Sequence, residues 1–275
     1  MPSPALDPLL KRVSRSFYLS LRVLPRSIRP TLSLAYLLAR ATDSVADVAS
    51  APREIRIRLL DGLPSFWPPE PLRELGDLDG ADRDLIEAMP SLLGRLQSSP
   101  DREDVQCVWQ TIRQGQAFDL ERFSAGSDPL TLDEARYYTG LVAGCVGEFW
   151  TDVCFKHIPN VARESPETMR RLGFSFGCGL QWVNILRDRH ADADLGRVYV
   201  APENFSAALA LARAHLIDGE RYTNAVRNRR VRAACRLPLS LASGTLDLVA
   251  AAPGAPRVKV SRWFVWRSFA LAALQ

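Results

Sequence analysis

A chain of 275 residues is long enough to bury a sizeable core, as one large domain or two small ones. With 47% hydrophobic and 24% charged residues it is neither a disordered nor a fibrous chain. Its net charge of +4 is too slight to announce a nucleic-acid binder, although it is compatible with weak attraction to an anionic membrane face. The five cysteines are odd in number and include no C-x-x-C pair, which predicts buried free thiols and a reducing, cytoplasmic setting. His157, His190 and His215 form no ligand cluster, which argues against a zinc enzyme. The N-terminus lacks the basic-then-apolar order of a signal peptide. The longest uncharged run, the 15 residues Leu172 to Leu186, is too short and too polar to span a bilayer. The expectation is a soluble protein, attached at most to the face of a membrane.

Apolar residues recur at helical spacing through most of the chain, so the fold class is all-α. Leu9, Val13 and Phe17 suggest an early helix or turn leading to Leu24-Pro25. A long helix is expected from Thr31 to Val48, with Pro30 where a helix can begin, then a short one from Arg53 to Leu60. Four prolines make Gly62 to Pro71 a loop. Further helices are expected over Asp82 to Gln97, Asp101 to Phe123, Thr131 to His157, Ser165 to Arg189, Pro202 to His215 and Asp218 to Leu246. The turn Pro253-Gly254-Ala255-Pro256 precedes a last helix. No repeat or low-complexity linker divides the chain, so residues 1–275 are read as a single helical domain.

Two acidic motifs stand out. Asp43 and Asp47 are four residues apart, as are Asp188 and Asp192. Tyr36, Arg40, Asp43 and Asp47 fall on one stripe of a helix, and so do Gln181, Asn184, Asp188 and Asp192. Like charges at i and i+4 oppose helix formation by about 0.2–0.5 kcal/mol. Two such pairs among Tyr, Gln and Asn suggest inward-facing carboxylates, which require a compensating cation. Mg²⁺ suits them, because it prefers oxygen and shares one or two carboxylates with substrate phosphates. The alternative is two solvated acidic helix faces, which spacing alone leaves open.

The surrounding residues narrow this. Val13-Ser14-Arg15-Ser16-Phe17 and Ala35 to Asp47 resemble the entry and first aspartate motif of the squalene/phytoene synthase family. Tyr138 to Gly147 resembles that family's Y-x-x-x-V-A-G-x-V-G segment, and Gln181 to Asp192 with Gly196-Arg197-Val198-Tyr199 its second aspartate motif. The resemblance runs from about Ser14 to near Arg262 in the family's order. It implies an all-α isoprenoid-synthase bundle with a central cavity, and head-to-head joining of two farnesyl diphosphates to squalene through presqualene diphosphate. It also implies Mg²⁺ on Asp43, Asp47, Asp188 and Asp192, and NADPH for the reduction. Arg40 and Arg187 would bind phosphate, Tyr138 would handle a proton or steady the leaving diphosphate, and Gln181 and Asn184 would orient carboxylates. Ser14, Ser16, Phe17 and Tyr36 would contact substrate, although Ser14 and Ser16 are equally suited to capping a helix. Phe17, Phe174, Phe176 and Trp182 would line a cavity or simply fill the core. Val142-Ala143-Gly144 and Gly147 would either leave room for a prenyl chain or let helices approach closely.

The chain departs from the family pattern at three places. Ser44 stands where phytoene-type members carry a second consecutive aspartate, which leans towards squalene. Ala191 replaces a common acid, and Val200-Ala201-Pro202 a common Leu-Pro. The alternatives are presqualene diphosphate or hydroxysqualene formation, dehydrosqualene or phytoene synthesis, or a non-catalytic helical assembly or lipid-binding protein. No G-x-G-x-x-G is present, and the oligomeric state is open.

Overall fold

The computed structural model describes residues 6–14, 17–76, 78, 80–123, 128–255, 258, 260, 261 and 263. Among them there is no strand; Ala162 and Val226 form one isolated antiparallel bridge. The all-α expectation holds. No described helix is long and apolar enough to cross a membrane. Of the stretch beyond Pro256, where a final helix is expected, only Val258, Val260, Ser261 and Trp263 are among the described residues, and Ser16 is not.

The chain forms two compact units that divide between Arg122 and Phe123, with Val23–Pro25 grouped with the second. The first unit begins with α1 (Leu6–Val13) and α2 (Phe17–Val23), followed by the 19-residue α3 (Arg29–Asp47). Pro30 sits in the first turn of α3, where a missing N–H costs nothing. Leu32, Leu34, Leu37, Leu38, Ala41 and Val45 of α3 are buried. Each fully buried leucine contributes roughly 1.5–3 kcal/mol. Then come α4 (Arg53–Gly62), α5 (Pro71–Leu75), α6 (Gly80–Glu87), α7 (Met89–Gln97) and α8 (Arg102–Arg122). The single helix expected over Asp82 to Gln97 is in fact two. Pro90 enters the first turn of α7 with no N–H to donate to the Ile86 carbonyl, and α6 and α7 separate at Ala88. Val45, Ala46 and Val48 pack with Leu59, Leu60, Leu75, Ile86 and Leu120, so the last turn of α3 is fixed by α4, α5, α6 and α8.

The second unit contains α9 (Leu132–Thr139), a π-helical turn Gly140–Gly144, α10 (Cys145–His157) and the 29-residue α11 (Pro166–Asp194). After them come α12 (Phe205–Ala225) and α13 (Arg229–Ala251). The break expected near residue 216 lies instead at Val226–Asn228, where the Asn228 side chain accepts the Arg230 and Val231 N–H groups and restarts a helix. The packing of α10 and the π turn on α11 is unusually close. A Cβ on Gly147 would sit 1.8 Å from the Gly173 carbonyl oxygen, and one on Gly177 2.0 Å from that of Ala143. The small residues Ala143, Gly144 and Gly147 therefore serve helix-to-helix contact.

The five thiols are free. Burial raises the Cys154 thiol, pushes Cys178 up to about 11 and pushes Cys235 up to about 12. Cys107 is exposed, because it lies on the outer face of α8, so the expectation of buried thiols fails there.

Candidate functional site

In the first unit the site residues lie on α3. Leu37, Leu38, Ala41 and Val45 turn into the core, which leaves Tyr36, Arg40, Asp43 and Asp47 on the other side. Asp43 is 49% exposed at its side chain and Asp47 is exposed, so these carboxylates are open to solvent rather than buried as the stripe suggested. On this helix the burial is taken by the apolar face. Asp47 stands in the last turn of α3, which holds no basic residue, and Asp43 one turn before it. A helix C-terminus carries the negative end of the macrodipole and favours cations, so a carboxylate there works against the fold.

Arg40 bridges this edge. Its Nη1 donates to Asp43 Oδ2 and to Ser44 Oγ, both at 3.0 Å, and its Nη2 donates to Asp82 Oδ1 at 2.8 Å. Asp82, on α6, is expected from the sequence only as the start of a helix, not as a site residue. It stands 38 residues from Ser44, and its only sequence signal is an acid in the first turn of a helix. The Tyr36 ring lies 5.2 Å from Phe17, and its hydroxyl donates to the Val13 carbonyl at 3.2 Å. Ser14 is buried and its hydroxyl bonds the Leu10 carbonyl, so it caps the end of α1.

In the second unit α11 carries Gln181, Asn184, Arg187, Asp188 and Asp192. Ser165 starts the helix by accepting the Thr168 N–H at 3.2 Å, with Pro166 in the first turn. Gly196 ends it at a φ of 78°, and the Arg197 N–H donates to the Asp192 carbonyl at 2.8 Å. Asp192 and Asp194 again occupy a last turn without a basic residue. Arg187 clasps Asp188 through both Nε, at 2.8 Å, and Nη2. Those hydrogen bonds raise the guanidinium pKa. Asp188 is 45% exposed, again open to solvent. Asn184 donates to Gln181 Oε1 at 3.3 Å, which fixes both amides against each other.

A capping box, Thr131 with Glu134, starts α9 and places Tyr138 one turn later. Tyr138 is buried and stacks on Tyr199 at 5.1 Å between ring centroids; Tyr199 meets Phe123 edge-on at 4.9 Å. The π turn follows Tyr138 at once, and such turns recur at functional sites. Phe176 and Trp182 are core residues, whereas Phe17 and Phe174 keep part of their surface open.

A family model described as squalene/phytoene synthase matches residues 10–208 and 205–264. The chain belongs to the squalene/phytoene synthase family. It is 30% identical over 210 residues to a bifunctional lycopene cyclase/phytoene synthase of Pyrenophora tritici-repentis (strain Pt-1C-BFP), a match that takes in 74% of this chain and 34% of that protein. It is 27% identical over 273 residues to the squalene synthase of Yarrowia lipolytica (strain CLIB 122 / E 150), covering 88% of this chain and 60% of the relative. The chain therefore spans about a third of the length of the bifunctional relatives it matches. A solved structure of TcSQS with the ligand E5700 superimposes with a TM-score of 0.82 at 22% identity, over 98% of this chain and 85% of that one. That likeness shows the fold: the all-α isoprenoid-synthase bundle expected from the sequence. The family model runs through both units and takes in both acidic helix ends, the π turn and Tyr199.

Proposed function

We propose that this chain condenses two farnesyl diphosphates head to head through presqualene diphosphate and, with NADPH, carries the product on to squalene. The observation that carries the reading is that α3 and α11 each end on carboxylates in a turn where a helix favours cations. Cations that arrive with the substrate would offset that cost on both helices. The donors are all carboxylate oxygens, which suits Mg²⁺, a hard ion that completes its shell with water and phosphate oxygens.

Asp43, Asp47, Asp188 and Asp192 would hold Mg²⁺, which supplies Lewis-acid stabilisation of the leaving diphosphate. Arg40 and Arg187 would donate charge-assisted hydrogen bonds to phosphate oxygens. The first C1–O bond breaks with its electron pair leaving on the diphosphate. The allylic cation adds to the double bond of the second farnesyl diphosphate, and loss of a proton closes the cyclopropane. Tyr138, held by Tyr199, is assigned to handle that proton. Gln181 and Asn184 would steady the Asp188 side of α11.

The likeness to a squalene synthase over 88% of the chain favours the farnesyl reading. The 30% identity to a phytoene synthase-containing relative favours a second one, phytoene from geranylgeranyl diphosphate. Incubation of the purified protein with each diphosphate and Mg²⁺, with and without NADPH, separates them by product mass. Squalene formed from farnesyl diphosphate only with NADPH supports the reading. A C40 product would replace it with the second. Failure to consume either substrate would leave a non-catalytic helical protein.

A further inference from the structure

Helix α6 brings a carboxylate to the first acidic motif from outside α3. Asp82 Oδ1 accepts from Arg40 Nη2 at 2.8 Å and lies 3.0 Å from the Ser44 hydroxyl, and its side chain is 25% exposed. Arg40 thus divides its fork, with Nη2 on Asp82 and Nη1 on Asp43 and Ser44. The two acidic partners differ in what substrate would do to them. A divalent ion held by Asp43 would compete with Nη1 for that carboxylate and free Nη1 for another acceptor. Asp82 sits in the first turn of α6, where the macrodipole stabilises an ionised carboxylate. It therefore remains an anchor when Asp43 is engaged.

We infer that Asp82 is a positioning residue for diphosphate binding: it holds Arg40 by Nη2 so that Nη1 can pass from Asp43 to a phosphate oxygen. The inference rests on the reading of Arg40 as a diphosphate ligand. It also accounts for Ser44. That residue is only 3% exposed and its hydroxyl faces Asp82, so a second consecutive aspartate at position 44 would set two carboxylates against each other. The Asp-Ser pair of this motif and the carboxylate on α6 belong together.

Calorimetric titration of inorganic pyrophosphate in the presence of Mg²⁺ tests this, with a thermal melt for each variant. Arg40→Ala should weaken binding about tenfold and Asp82→Asn by a similar factor, the loss expected for a hydrogen bond to a charged group. The double variant should bind no more weakly than Arg40→Ala, because Asp82 acts through Arg40. Arg40→Lys keeps the charge but cannot divide itself between two acceptors, and should bind several-fold more weakly than the parent. Asp82→Asn binding like the parent, losses that multiply in the double variant, or Arg40→Lys binding like the parent would each overturn the inference while leaving the proposed function standing. Arg40→Ala binding like the parent would remove the assignment of Arg40 and the inference together.

Discussion

The C-terminal ends of α3 and α11 reach the same chemical result by different means. On α3 the carboxylates are set by a leucine-rich apolar face, with Leu37, Leu38 and Val45 buried, and by an arginine tied to a neighbouring helix. On α11 they are set by glycines that let α10 lie almost backbone to backbone, and Arg187 clasps its own neighbour Asp188. A side-chain-packed helix yields to cavities and absorbs modest changes. A backbone-packed helix has no such reserve, because a carbonyl oxygen cannot rotate away. The acidic end of α11 is thus more sensitive to packing, and that of α3 more sensitive to charge.

The largest effects expected are on turnover. Asp43→Asn and Asp188→Asn should each reduce product formation by about a hundredfold or more, since a bound metal supplies several kcal/mol to the departing diphosphate. Equal losses would put the two helix ends on the same footing, and survival of one variant would break the comparison.

Next come the packing changes. Gly177→Val should fail to give soluble protein, or lose on the order of 10 °C in melting temperature, because its Cβ meets a backbone carbonyl at 2.0 Å. Leu38→Ala should cost about 2–5 kcal/mol yet remain folded, as core truncations do. Gly94→Ala on α7, with no atom within 4 Å of the added carbon, should raise the melting temperature by about 2–4 °C.

Much of this was legible in the sequence because it is local. Asp43 with Asp47, and Asp188 with Asp192, share helix stripes by arithmetic, and Pro30 and Ser165 mark where α3 and α11 begin. Spacing places residues on a stripe but does not say which stripe is buried. The carboxylates were accordingly expected inside, and lie open because leucines fill the opposite face. Asp82 was invisible because its partners Arg40 and Ser44 are distant in sequence. Gly147 reads as small in the sequence but not as indispensable, since only the carbonyl facing it decides that. The split between α6 and α7 was there to be read in Pro90.

A smaller effect concerns the thiols. At pH 8, iodoacetamide should label Cys107 readily and spare Cys178 and Cys235, whose pKa values of about 11 and about 12 keep them protonated. Mass spectrometry of the labelled peptides reads this directly. Labelling of Cys235 at the rate of Cys107 would show that the helices of the second unit open more readily than their backbone packing implies.

If the carboxylates at these helix ends hold divalent ions, Asp47→Asn combined with Asp192→Asn shows it most directly, with melting temperature and turnover measured on the same metal-free and Mg²⁺-supplemented samples in the presence of pyrophosphate. The melting temperature of the double variant should rise less on adding Mg²⁺ than that of the parent, and turnover should fall by about a hundredfold or more. A rise equal to the parent's, or turnover that persists, would refute the assignment.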